Sequence, residues 1–128
     1  MKVFKYLRLA VLFCGLLMGM AACKVEVSPI ETATVKSLTD GRVDKSWALS
    51  ESQVVQLNKW LADNQGGWDV VKSQYVPNLL VNARHRDGHT STIGISSKHI
   101  VIGFNGEQHV QKFDREDIQA LQLIVGGI

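Results

Sequence analysis

The segment from Lys2 to Cys23 decides how much of this chain is left to fold. Lys2, Lys5 and Arg8 give it a positive start, Leu9 to Met20 is an uncharged apolar stretch, and the small residues Ala21 and Ala22 precede Cys23. Even counted from Leu9, the apolar run falls short of the roughly 18 to 20 residues that a permanent bilayer-spanning helix needs. Residues 1–22 therefore read as a targeting segment that is removed. About 105 of the 128 residues remain, enough for one modest core and no more.

The run Leu17-Met18-Gly19-Met20-Ala21-Ala22-Cys23 resembles the lipobox of bacterial lipoproteins, in which a short apolar residue, two small residues and a cysteine meet the lipoprotein signal peptidase. The resemblance covers only the first 23 residues and departs at Met20, where leucine or another aliphatic residue is usual. It implies cleavage before Cys23, a diacylglyceryl thioether on its sulfur and acylation of the new amino group. Several acyl chains would make a lasting membrane anchor, since one chain gives only marginal, reversible binding. Lys24, standing where a retained lipoprotein has aspartate, resembles the pattern of those released to the outer membrane. The implied location is the periplasmic face of that membrane, with retention at the inner membrane as the alternative. The competing reading is an ordinary signal peptide that leaves Cys23 as a free thiol.

Processing changes the totals. The net charge of +2 includes Lys2, Lys5 and Arg8, so 11 basic residues face 12 acidic ones in what remains. A near-neutral chain without a basic stripe interleaved with aromatics does not suit nucleic acid. Cys14 leaves with the targeting segment and Cys23 carries the lipid, so no thiol is left for an intradomain disulfide or a thiolate metal site. Stability has to come from packing.

Residues 23–36 read as the lipidated N-terminus and a tether that can end in a strand, and residues 37–128 as a single small domain. Asp40-Gly41 marks a turn between two short stretches of Val35–Trp47 that can pair as a hairpin. Ser50 and Gln53 form a capping box, and Val54, Leu57, Trp60 and Leu61 recur at helical spacing until Asn64-Gln65-Gly66-Gly67 stops the helix. From Trp68 the period shifts towards two, with strands expected over about 69–75, 79–85, 89–95, 99–104 and 107–112. For the Asp87-Gly88 hairpin, a three-residue loop of Arg86-Asp87-Gly88 pairs Val81 with Ile93 and Leu79 with Ile95 on one face, whereas a two-residue loop mixes the faces. Asp114 is placed to cap a last helix with Ile118, Leu121 and Val125 on one side. The expected fold is α+β: a single antiparallel meander sheet packed by one helix before it and one C-terminal helix.

Chemistry is sparse. There is no G-x-S-x-G, no H-E-x-x-H and no phosphate-binding glycine loop. Asp114, Glu116 and Asp117 cluster where a helix dipole favours negative charge. The preferred register sets His85 opposite His89, which makes these two the candidates for an ion, with His99 or His109 as a third ligand. Trp68 beside two glycines, and Tyr75 beside Pro77, are candidate aromatic anchors for a partner, against the alternative that the tryptophans fill the helix–sheet contact. Arg84, His85, Arg86, Asp87 and His89 make the hairpin tip the densest run of charge and hydrogen-bond donors, suited to carboxylate or phosphate groups. The expectation is a noncatalytic, membrane-anchored module that binds a periplasmic protein and needs no cofactor, such as an inhibitor or immunity protein against an envelope enzyme. A structural accessory of an envelope complex is the alternative, and a histidine-dependent metal-binding protein a weaker one.

Overall fold

The computed structural model describes residues 24–127; the run that resembles a lipobox, and Cys23 with it, lie outside the described residues. The elements are β1 (Ile30–Thr39), β2 (Arg42–Ala48), α1 (Glu51–Asp63), β3 (Asp69–Val70), β4 (Leu79–His85), β5 (Thr90–Ile95), β6 (His99–Phe104), β7 (Glu107–Lys112) and α2 (Arg115–Val125). The seven strands form one open antiparallel sheet in the order β2-β1-β4-β5-β6-β7-β3, so the fold is α+β. Strands β4 to β7 are the expected meander, and the β1–β2 hairpin is added to its β4 edge.

Turn chemistry sets the hairpins. Asp40-Gly41 joins β1 to β2 and Asn105-Gly106 joins β6 to β7, all four residues with positive φ, which is the two-residue turn whose twist matches paired strands. The β4–β5 hairpin has the three-residue loop: His85 N–H donates to His89 O at 2.8 Å, Gly88 is left-handed at φ +90°, and Val81 pairs with Ile93 and Leu79 with Ile95. In this register Val35, Val81, Ile93 and Ile102 share one face with Leu79, Ile95 and Ile100, and all are buried. Val54, Leu57 and Leu61 of α1 and Ile118, Leu121 and Val125 of α2 belong to the same apolar cluster.

Each helix is held at its ends by side chains. The Ser50–Gln53 capping box closes the start of α1. The Gln53 side chain also donates to Ile124 O at 3.2 Å, and the Trp47 indole donates to Val125 O at 2.8 Å, so two carbonyls that α2 leaves unpaired are satisfied by β2 and α1. Gly126 ends α2 in the left-handed conformation. Asp114 occupies the N-cap backbone position but its side chain makes no cap hydrogen bond, contrary to expectation.

Three further expectations are corrected. The helix expected before the sheet lies within it in chain order, after β1 and β2. The strand expected over 69–75 shrinks to Asp69–Val70. The tether expected through Lys36 is part of the fold: Ile30 to Lys36 lie in β1, between β2 and β4, and Ile30, Ala33 and Val35 are buried. Asn58 of α1 clamps the start of that strand, accepting from Ile30 N–H at 2.8 Å and donating to Ile30 O at 3.0 Å. Before it, Val25 is buried and donates to Gln65 O at 2.7 Å.

Candidate functional site

Strand alternation puts the buried residues on one side of the sheet and a different set on the other. That second face carries Thr32 and Thr34 from β1, Asn82 and Arg84 from β4, Thr90 and Thr92 from β5, Gly103 from β6 and Gln108 from β7, with Asn82 opposite both Thr34 and Thr92, and Arg84 opposite both Thr32 and Thr90. Together with Val70, Val71 and the Asn105-Gly106 turn they line an open concavity of about 1200 Å³. Thr32, Thr34, Arg84, Thr90 and Gln108 are exposed.

Glycine makes room on this face. A Cβ on Gly103 would lie 2.7 Å from the Thr92 hydroxyl, and one on Gly94 would touch Pro77 at 3.4 Å. The first keeps the floor low where Thr92 lies across it. The second lets the segment after β3 cross the sheet. That segment borders a smaller hollow of about 350 Å³ with Tyr75, Pro77, Leu80, Gly94 and Val101, which shares Val71, Thr92 and Gln108 with the larger one. The result is one trough of mixed polar and apolar lining, open over most of its length and bordered at one end by residues 71–77. Its polar side chains offer hydroxyls, carboxamides, the Arg84 guanidinium and the Glu107 carboxylate beside apolar walls such as Val70, Val71 and Phe104, a set that fixes the orientation of a partner surface by hydrogen bonds.

The residues singled out from the sequence separate into three places. Arg84 is exposed in the trough. Arg86, Asp87 and His89 are exposed at the hairpin tip, where His89 N–H donates to Asp87 Oδ1 at 3.0 Å and the His89 ring lies 3.2 Å from Asp87 Oδ2. The His89 amide, together with the Ser28 side chain, holds the Asp87 carboxyl down at about 2. Tyr75 is half-buried, its ring 4.9 Å from that of His99, so it is a wall of the end bordered by residues 71–77 rather than a free anchor.

Two candidates are corrected. Trp68 is fully buried: its indole donates to Asn64 O at 2.7 Å and its ring packs 5.8 Å from Phe113. Burial of so large an apolar ring outweighs any use at the surface. His85 is also buried and does not join His89 around an ion. Its Nδ1 lies 2.5 Å from Ser28 O and must donate, because a carbonyl only accepts, while Nε2 meets Ser91 Oγ at 2.6 Å. Both ring nitrogens are thereby occupied in tying the segment before β1 to β4 and β5. His109 is a further buried histidine, stacked 5.7 Å from Phe104 with its Nδ1 unpaired, and His99 sits with Tyr75. Among the described residues no three His, Cys, Asp or Glu side chains converge to hold a metal ion.

Sequence reasoning named Arg84 but not Thr32, Thr34, Asn82, Thr90, Thr92 or Gln108. The signal was the polar half of the same alternation that located the core: each strand's core residues bracket the residues that line the trough. The β1–β4 pairing that brings Thr32 and Thr34 beside Asn82 and Arg84 joins residues about fifty positions apart, and local pattern does not reveal it.

Comparison with protein-family models, with curated proteins and with solved structures finds no match to this chain. Among the described residues no helix is long and apolar enough to cross a membrane.

Proposed function

We propose that this chain is a bacterial lipoprotein anchored through Cys23 at the periplasmic face of the outer membrane, and that its domain is a noncatalytic module that binds a periplasmic protein across the trough. In this reading both helices pack on the Val81–Ile93 side and leave the Arg84 side free. The observation that carries it is the composition of the trough: an exposed guanidinium among threonines, Asn82 and Gln108, with the Glu107 carboxylate in the same lining, on an antiparallel sheet. Such groups recognise carboxylates and backbone amides on a partner without themselves offering an activated nucleophile. An inhibitor or immunity protein against an envelope enzyme is the function that fits best.

Pairing of a larger subunit with a sheet edge, the accessory role, has less support. The β2 edge exposes Arg42, Asp44 and Lys45, charges that discourage strand addition, and the β3 edge is two residues long. The test is capture of partners from the native envelope with tagged, acylated protein. One stoichiometric periplasmic protein is expected, retained less by Arg84→Ala and Thr90→Val variants that melt like the parent. Unchanged retention by both variants would remove the trough from the account, and a stable multi-subunit assembly would favour the accessory role.

A further inference from the structure

Resting on the reading of Cys23 as the lipidated residue, we infer a second interaction surface: the end of the domain that carries the β4–β5 and β6–β7 hairpin tips lies against the bilayer that holds the anchor.

Chain length is the first ground. Had the tether run from Lys24 to Lys36, its 13 residues would span roughly 20 Å as a flexible coil and up to about 45 Å extended. Instead Val25 is already buried and hydrogen-bonded to Gln65 O. Only Lys24 separates it from Cys23, so the two Cα atoms are at most about 7 Å apart. A lipidated sulfur sits at headgroup level, and a chain this short brings the domain down with it.

Topology supplies the second ground, because it decides which end comes down. From Glu26 the chain runs along one end of the sheet. His85 binds Ser28 O, Arg86 N–H donates to Pro29 O at 3.1 Å, and a hollow of about 190 Å³ is shared by Glu26, Ser28, Asp87, His89 and Asn105. The Asp87-Gly88 and Asn105-Gly106 turns both lie at this end. The Asp40-Gly41 turn and Ser97, which joins β5 to β6, lie at the other. Six-residue strands separate the two ends by about 20 Å. Membrane contact is therefore polar, made by the two turns and by the Arg86, Asp87 and His89 side chains exposed on the first, and the Arg84–Thr90 end of the trough opens next to the headgroups. The partner that the trough takes is one that works at the membrane surface.

With Cys14 removed and Cys23 acylated, an introduced cysteine is the single free thiol, so a spin label can be placed at will. Acylated Arg86→Cys and Ser97→Cys proteins would be labelled in vesicles of phosphatidylethanolamine and phosphatidylglycerol doped with a nickel-chelating lipid. The Arg86 label should be relaxed several-fold more strongly than the Ser97 label, and a ten-residue Gly-Ser insertion between Cys23 and Lys24 should remove the difference. Equal relaxation of the two labels in protein whose Cys23 is acylated would overturn the docked orientation and leave the lipoprotein reading standing. A Cys23 that carries no lipid would overturn both.

Discussion

Two histidines that face each other across a hairpin turn have opposite fates: alternation sends both towards the same face, but only His85 lies beneath the segment before β1, while His89 stands in the turn before the start of β5. His85 is 2 % exposed and bonded at both nitrogens, whereas the His89 side chain is 71 % exposed. Replacing His85 by Phe keeps the volume but leaves Ser28 O and Ser91 Oγ without partners, a loss of about 2–4 kcal/mol. His89→Ala should change stability by less than about 0.5 kcal/mol. Urea denaturation of the two variants separates the assignments, and equal effects would undo them. Asp87 gives a pH test. Its carboxyl is held at about 2 against an ordinary 3.8, first by the His89 amide and then by the Ser28 side chain. A depressed carboxylate stabilises the folded state fully above 3.8 and loses that contribution as pH falls through 2. Asp87→Asn should therefore unfold at lower urea than the parent at neutral pH, and the two should converge in acid. A gap that persists at the lowest pH would show that geometry, not charge, sets the effect.

At the scale of elements, the parts governed by local chemistry were legible. The Ser50–Gln53 capping box, the Asp87-Gly88 register and the Asn105-Gly106 turn each depend on residues a few positions apart, and each stands where the sequence pattern put it. Long-range contacts were not legible. Val25, Ile30, Ala33 and Val35 follow strand spacing only with breaks near Pro29 and at the register shift between Ile30 and Thr32, and their partners are His85, Ala83 and Val81 on β4 and Gln65 after α1. Taken alone, a stretch without aromatics next to a run that resembles a lipobox reads as a linker. Asn58 shows the same limit: on a helical wheel it is one more polar residue, but it is half-buried and grips both backbone groups of Ile30. Asn58→Ala should cost about 2 kcal/mol, one per hydrogen bond lost. It should also speed hydrogen exchange at the Ile30 amide more than at the Val81 amide, since only the start of β1 is released. Uniform acceleration would mean that the clamp acts on the whole fold.

For the whole molecule, the open question is where the folded unit begins. The described residues contain no cysteine and so no disulfide, and domains of this size are stable by only about 5–15 kcal/mol. Residues 25–30 contribute a large part of that margin. Val25 and Ile30 are almost fully buried, at about 1.5–3 kcal/mol each. The bonds of Ile30 to Asn58, Ser28 O to His85, and Pro29 O to Arg86 N–H add roughly 1 kcal/mol apiece. Together these are on the order of 6 kcal/mol or more. A chain begun at Lys24 should therefore melt cooperatively as a soluble domain. One begun at Glu31 retains the β1–β4 pairing from Thr32 onward but should be largely unfolded at 37 °C, which circular dichroism and thermal denaturation would show. If the shorter chain instead melts with the longer one, residues 24–30 are a tether after all, the bilayer-docked orientation loses its physical basis, and the trough would be free to swing towards partners well away from the membrane.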